Sequence, residues 1–403
     1  DLALRLPGLV CVALAAFLPS LMKAPGLDRT ERLGWGWLMF AWWGVDQFLL
    51  ARGFPVMFAL AAAQATVFAG LIRQPTGRRA WAWSILSAAM IMVHYYAAAL
   101  VAVHGVAYLA LHRKGALKTW PAALAFAPAL AWMAWHAPFL AQFANASVAW
   151  HPRLDAKGVF GMAVFPLQHT APVIALAALI LIAGGMIARK DARGTIDRAL
   201  WIAVAASWAA LLVVIASAAW RPTLIARYLT PEVPGVLLSL VLLARGAARP
   251  KLVLAGLAAV YAIGLTPPFA MIRGPGDPSP YGHEQASQIL MRHDVTDVVF
   301  LWDHETAQIQ DRAALAAVGR FYFDRAGARV RVITPDWKRG EDLNRVALAA
   351  ASGPRPGIIW IYNRNTPTAA KDHPPAIDRL DPAYVCQDIS YAGLGSLACF
   401  RNK

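Results

Sequence analysis

Two arginines stand where a cation could hold an anion. Arg52 lies in Leu50-Ala-Arg-Gly-Phe-Pro55 and Arg227 in Ala226-Arg-Tyr-Leu-Thr-Pro-Glu-Val-Pro234. Each comes just before an apolar block headed by proline. Proline suits the first turn of a helix, where its missing N–H is not needed and its fixed φ is already helical. Thr230 is placed to cap the second of these helices, with Pro231 at its first position. A helix N-terminus carries partial positive charge, and an arginine beside it makes a receptor for phosphate. The plainer role is a rim arginine whose guanidinium snorkels to lipid headgroups. A third group is His94-Tyr95-Tyr96. Imidazole can hydrogen-bond a sugar or a phosphate, and a tyrosine ring can stack on a sugar face; an interfacial aromatic belt would also put tyrosines here. Activating a hydroxyl needs one well-placed carboxylate base. Asp46, Asp155 and Glu232 are the candidates on the same side as these groups, and Asp46 is the best placed of the three. Its plainer role is a salt bridge or hydrogen bond to a neighbouring helix end.

The elements that must carry these residues are apolar helices. Of 403 residues, 58% are hydrophobic and only 15% charged, and the mean hydropathy is +0.47. Soluble domains carry about 25% charged residues. The apolar residues fall in blocks of about 20, the length a bilayer-spanning helix needs. This composition excludes an ordinary cytosolic enzyme, a disordered chain and a collagen-like fibre, and it predicts a polytopic helical membrane protein. Ten spans are expected, at 6–22, 33–50, 54–72, 80–97, 98–112, 119–137, 171–188, 199–219, 230–244 and 252–271.

The net charge of +15 is distributed unevenly. Alternate loops hold sixteen basic residues on one side against six on the other, counting the N-terminal stub. The basic set, which includes Lys23, Arg73, Arg79, Lys114, Arg193 and Arg245, is cytoplasmic by the positive-inside rule. The charge excess therefore implies no nucleic-acid partner. Arg52, Arg227 and the His94 triplet fall on the outer side, as do the N-terminus and everything after about residue 272. An outer start at Asp1 with no signal peptide implies that at least one helix and one outer loop precede this sequence. Residues 138–170 form a long outer loop with Trp150, His151, Phe160, Phe165 and His169. Its aromatic content suits either an amphipathic segment on the membrane surface or an anchoring aromatic belt.

After the Gly/Pro-rich linker Arg273-Gly-Pro-Gly-Asp-Pro-Ser-Pro-Tyr281, charges and turn residues return, marking a second domain over 284–403. Helices are expected at Glu284–Met291, Ala307–Phe323 and Glu341–Ala351. Strands are expected at Asp297–Leu301, Val330–Thr334 and Ile358–Tyr362. The alternation predicts a small extracytoplasmic α/β layer with mostly parallel strands. No Gly-rich loop follows a strand, so a nucleotide site is not expected. Asp303, His304 and Glu305 follow a strand, where open sheets bind ligands; a solvated turn is the simpler account. Cys386 and Cys399 flank a terminal hairpin and are expected to pair in an oxidising compartment. Cys11 lies in a span and packs there.

Together these segments resemble the polyprenyl-phosphate-sugar-dependent membrane glycosyltransferases of the GT-C fold. That group includes protein O-mannosyltransferases and lipid A aminoarabinose transferases. Leu4-Arg-Leu-Pro-Gly8 resembles the family's "LRLPS" entry to a span. Ala51-Arg52-Gly-Phe54 sits where the family has "QEARxY", and His94-Tyr95-Tyr96 resembles its "THYF". Arg227-Tyr228-Leu229 with Pro231 and Pro234 resembles its "RYLLPALP", the most specific of the four. The resemblance covers residues 1 to about 245, and the outer α/β domain is similar to extra domains that many bacterial members carry. The sequence departs from the pattern at Leu50, where the family has Glu. The family's catalytic acid lies in a first outer loop that this sequence does not contain.

The resemblance implies a multi-pass protein of the bacterial cytoplasmic membrane that transfers a sugar with inversion. The donor would be a polyprenyl-monophosphate sugar, and the acceptor a hydroxyl on a glycan, lipid or protein. Arg52 and Arg227 would hold the lipid phosphate, and His94, Tyr95 and Tyr228 would line the sugar or acceptor pocket. No metal or other cofactor is implied, since arginines can handle a monophosphate leaving group. Three other readings stand beside it. One is a lipid-linked sugar transporter or flippase, which the lack of a polar seam in the spans disfavours. Another is an enzyme of the O-antigen ligase or polymerase type, and the third an anchor displaying an α/β module.

Overall fold

The computed structural model describes residues 2–42, 53–145, 155–167, 171–186, 197–220, 224–263, 282–302, 312–336, 342–353, 355–363, 377–391 and 394–401. The chain divides into two compact units, Asp1–Arg273 and Gly274–Lys403.

The first unit is helical among its described residues. Its helices are α1 (Leu2–Leu21), α2 (Arg29–Trp42), α3 (Phe54–Arg73), α4 (Gly77–Val93), α5 (Ala97–His112), α6 (Ala127–Asn145), α7 (Ala156–Val164), α8 (Ala171–Met186), α9 (Arg198–Trp220), α10 (Val233–Arg245) and α11 (Pro250–Ile263). Two 3-10 helices, Arg113–Phe126 and Ala226–Glu232, lead into α6 and α10. Among the described residues, three stretches are long and apolar enough to cross a membrane: Phe54–Arg73, Arg198–Ala218 and Ala226–Arg245. Leu6–Leu21, Pro172–Gly184 and Pro250–Ile263 are shorter apolar helices. The other expected spans are helical over their described residues but do not meet that standard there, and residues 43–50 of the span expected at 33–50 lie outside the described residues. The 17 residues of α4 reach only about 26 Å at 1.5 Å each, short of a hydrocarbon core of about 30 Å. The expected span at 119–137 is not one α-helix: it starts as the 3-10 helix around Pro121, which cannot donate to an α ladder, and its α-helical part runs on to Asn145.

Helix α3 is buried along most of its length because α1, α4, α9 and α10 surround it. Close approach is set by small residues. A side chain on Gly36 of α2 would overlap the Ala16 carbonyl of α1, and one on Gly235 of α10 would overlap the Ser207 hydroxyl of α9. Trp35 donates its indole N–H to the Pro234 carbonyl at 2.9 Å, tying α2 to the start of α10. Large apolar side chains face outward on the peripheral elements, among them Val106, Leu117, Trp120, Leu130, Ile182 and Leu252. Exposed side chains of this kind suit contact with hydrocarbon.

The helix ends sort by charge. At one end Arg245 makes a two-pronged ion pair with Glu31 (Nε–Oε1 2.6 Å, Nη2–Oε2 2.6 Å) and donates to the Gly26 carbonyl at 2.8 Å. Arg73 pairs with Asp197 beside them. Asp28 and Glu31 cap α2 reciprocally, each accepting from the other's backbone N–H at 2.8 Å. The opposite end gathers the starts of α3, α5 and α10 and the end of α4. Consecutive long helices therefore run antiparallel.

The second unit is a five-stranded mixed sheet. Its strands are β1 (Asp297–Trp302), β2 (Arg331–Ile333), β3 (Pro356–Asn363), β4 (Tyr384–Tyr391) and β5 (Leu394–Arg401), in the order β2-β1-β3-β5-β4. The β1–β2 and β1–β3 pairs are parallel, and β3–β5 and β4–β5 are antiparallel. β1 and β3 read as continuous apolar runs because both faces are covered. Val298, Phe300, Ile359 and Ile361 face α12 (His283–Arg292) and α13 (Arg312–Arg325). Val299, Leu301, Ile358 and Trp360 face α14 (Leu343–Ala350) and α15 (Ile377–Leu380). Cys386 and Cys399 lie directly opposite on β4 and β5, their Cα atoms 4.1 Å apart, and form a disulfide. Asp303, His304 and Glu305 fall outside the described residues.

Candidate functional site

At the end of the first unit opposite the Arg245 network, the chain breaks between α4 and α5. His94 leaves helical geometry (φ −159°, ψ 126°), while its N–H still bonds the Met90 carbonyl at 2.9 Å. Ala97 N–H then bonds the His94 carbonyl at 3.1 Å, so only three residues separate the helices. This tight break sends alternate side chains different ways. His94 and Tyr96 reach the 3-10 helix Ala226–Glu232, and Tyr95 turns toward α6.

The first neighbourhood is an aromatic cluster around Tyr228. Its ring lies 4.6 Å from His94, 4.8 Å from Tyr96 and 6.2 Å from Phe54, the last two stacked. The Arg227 guanidinium carbon sits 5.8 Å from the Phe54 ring centre and 5.9 Å from that of Tyr228. Rings at this range attract the cation and fix its direction. Phe54 is the first residue of α3, with Pro55 in the first turn as the sequence suggests. Thr230 does not cap a helix as expected. Its hydroxyl donates to the Arg227 carbonyl at 2.6 Å, inside a 3-10 turn that begins four residues earlier. In α10 the proline of the first turn is Pro234, not Pro231. The site thus unites a cation, an imidazole and stacked phenol rings from α3, the α4–α5 break and the 3-10 segment.

Tyr95 lies in a second neighbourhood. Its hydroxyl hydrogen-bonds His136 Nδ1 of α6, and the His136 ring lies 4.0 Å from Trp132 and 4.8 Å from Trp135. Of the sequence candidates, His94, Tyr228 and Arg227 come together, and Tyr95 stands apart from them. Asp46 and Arg52 lie outside the described residues. Asp155 caps α7, accepting from Gly158 N–H at 2.6 Å, a structural role that uses its carboxylate. Glu232 is fully buried. Trp150, His151 and His169 of the loop expected on the outer side lie outside the described residues, but the end of α7 is fastened to the bundle, since Trp42 donates to the Phe165 carbonyl at 3.2 Å.

Sequence reasoning missed two features. Phe54 and Tyr96 complete the Arg227 cluster, although both stand inside segments already singled out. Gln64, Ser87 and His104 form a buried polar cluster in the middle of α3, α4 and α5, with Gln64 Nε2 3.2 Å from Ser87 Oγ and 3.0 Å from His104 Nδ1. A search for charge in the spans passes over it, because none of the three is a Lys, Arg, Asp or Glu. Among the described residues, no group of three or more His, Cys, Asp or Glu side chains could hold a metal. Comparison of the chain with family models, curated proteins and solved structures finds no significant match.

Proposed function

We propose that the chain is a membrane-embedded glycosyltransferase that takes a sugar from a polyprenyl-monophosphate donor at the outer membrane face. The observation that carries this reading is the meeting of Arg227, Tyr228 and His94 at one end of an apolar helical bundle, opposite the end richest in basic helix termini. Arg227 receives the lipid phosphate, oriented by the rings of Phe54 and Tyr228. Arg52, two residues before Phe54, is the second phosphate ligand. The tyrosine rings and His94 hold the sugar. The acceptor hydroxyl attacks the anomeric carbon with inversion, the lipid phosphate leaves, and the arginines stabilise the charge that develops on it. The α/β unit lies on the outer side, where its disulfide is stable.

The test uses the full chain in lipid nanodiscs with a panel of synthetic polyprenyl-monophosphate hexoses and pentoses, following release of polyprenyl phosphate. A charge-assisted hydrogen bond contributes about 1.5–3 kcal/mol, so Arg227→Ala loses about 10- to 150-fold in turnover while inserting and folding normally. Arg227→Lys recovers only part, because a point charge replaces a planar fork. Near-normal turnover by Arg227→Ala refutes the reading.

A further inference from the structure

The 14-residue 3-10 helix Arg113–Phe126 carries a pattern that the Arg227 site does not use. In a 3-10 helix residues three apart eclipse, so side chains form straight strips along the axis. One strip, Ala116, Thr119 and Ala122, is buried, and the Thr119 hydroxyl lies 2.8 Å from that of Tyr108 in α5. The second strip, Lys114, Leu117 and Trp120, is exposed, and so are Lys118 and Leu124 on the third. Both exposed strips run from a cation to apolar side chains in the chain direction. Arg113, at the turn from α5, is also exposed and is held at φ 44°, ψ −118°. Glycine takes such a backbone more readily than any other residue, and outliers of this kind gather at functional sites.

The segment starts at the Arg73 and Arg245 end of the bundle, since His112 just before it donates from Nε2 to the Ile72 carbonyl at 2.9 Å. Other arginines at that end are engaged with protein. Arg73 pairs with Asp197, Arg245 with Glu31, and Arg79 donates to the Gln74 side chain at 2.8 Å. The side chains of Arg113, Lys114 and Lys118 have no hydrogen-bond or ion-pair partner among the described residues. The helix then runs into α6 without a break, Ala127 being helical (φ −56°, ψ −43°). At about 2.0 Å per 3-10 residue and 1.5 Å per α residue, Thr119 to His136 spans about 31 Å, the thickness of a hydrocarbon core of about 30 Å. Trp120 then lies at one edge of the hydrocarbon, where indole rings gather. Lys118 stands about 4 Å outside it, in a headgroup layer about 5–8 Å deep. Lys114 is about 8 Å from Lys118 along the axis, and two flexible four-carbon stems can converge on one phosphate over that distance.

We propose that this exposed face holds an acidic phospholipid of the bilayer, its phosphate on Lys114 and Lys118 and its acyl chains along Leu117, Trp120 and Leu124. Arg113 adds charge beside the phosphate. The inference is independent of the sugar-transfer reading and of Arg227. Two features select an acidic lipid: unpaired cations supply the charge complement, and the apolar side chains follow them on the same strips, in the order in which a lipid presents headgroup and chains. A soluble anion would use the cations and leave Leu117 and Trp120 without a role.

The experiment titrates the full chain in detergent micelles with dioleoyl phosphatidylglycerol or dioleoyl phosphatidylcholine and measures bound lipid by native mass spectrometry, with the unfolding temperature recorded for each protein. Compared are wild type, Lys114→Gln/Lys118→Gln, the same pair with Arg113→Gln, and Arg78→Gln/Arg249→Gln, which removes two exposed cations outside the segment. Each cation near an acidic headgroup is expected to contribute about fivefold. Wild type should therefore prefer phosphatidylglycerol by roughly a hundredfold. The Lys114/Lys118 variant should lose about thirtyfold of that preference and the triple variant nearly all of it, at an unchanged unfolding temperature. The Arg78/Arg249 variant should keep it. Equal binding of the two lipids by wild type overturns the inference, as does an equal loss in the Arg78/Arg249 variant, which would make the effect one of total charge. Displacement of bound phosphatidylglycerol by excess glycerol 3-phosphate overturns it in favour of a soluble anion. A lower unfolding temperature in the Lys114/Lys118 variant assigns the lysines to the fold and also overturns it.

Discussion

Acidification should loosen the α/β unit through one buried histidine. His283 opens α12, is only 5% exposed, and lies with its ring 5.0 Å from both Phe300 and Tyr322. Burial holds its pKa down to about 4, against an ordinary 6.5, and a hydrogen bond to the Gly319 backbone offsets only part of that. The sign follows from linkage. The unfolded chain binds the proton more tightly, so the stability contributed by neutral His283 is complete above about pH 6.5 and is lost as pH falls toward about 4. At about pH 5 the unfolded imidazole is almost fully protonated and the folded one barely so, which costs about 2 kcal/mol; the limit at lower pH is about 3 kcal/mol. Against a domain stability of about 5–15 kcal/mol, that raises the open population some thirtyfold, roughly. Amide hydrogen exchange on the full chain, corrected for intrinsic rates, should show peptides from α12, β1 and β3 losing protection between about pH 7.5 and pH 5. In His283→Phe the loss should be much smaller. Equal protection at both pH values, or the same loss in the variant, would refute the reasoning.

Two further predictions concern packing and the crosslink. In Gly36→Ala the new methyl overlaps the Ala16 backbone carbonyl, which cannot rotate away, so α1 and α2 must part. The expected cost is about 1–3 kcal/mol, read as a lower unfolding temperature in nanodiscs; an unchanged temperature counts against the close α1–α2 contact. Thiol labelling of the unfolded but unreduced protein should modify Cys11 alone, and reduction should expose Cys386 and Cys399. The disulfide closes a short loop, so its loss should cost the α/β unit about 3 kcal/mol.

The sequence by itself determined what depends on composition and local spacing. Among the described residues the long apolar blocks made helices, and period and turn residues announced β1, β2 and β3 to within a residue or two at most ends. Pro55 marked the first turn of α3 because proline's constraint is local. The motifs also held the right residues: Arg227, Tyr228 and His94 were named from their own segments. What only the tertiary structure decided is which of them meet. His94 and Tyr95 are adjacent in the chain, yet a three-residue break points one at Tyr228 and the other at His136. Thr230 was misread as a cap because the start of α10 is a 3-10 turn, held by contacts with α3 and α9 that no local rule contains. Glu232 stood among the candidate carboxylates on the side of the arginines, and nothing in its neighbours says which way its side chain will face. Burial is a property of packed helices, and the choice between a solvated charge and a sequestered one is made only when they close around it.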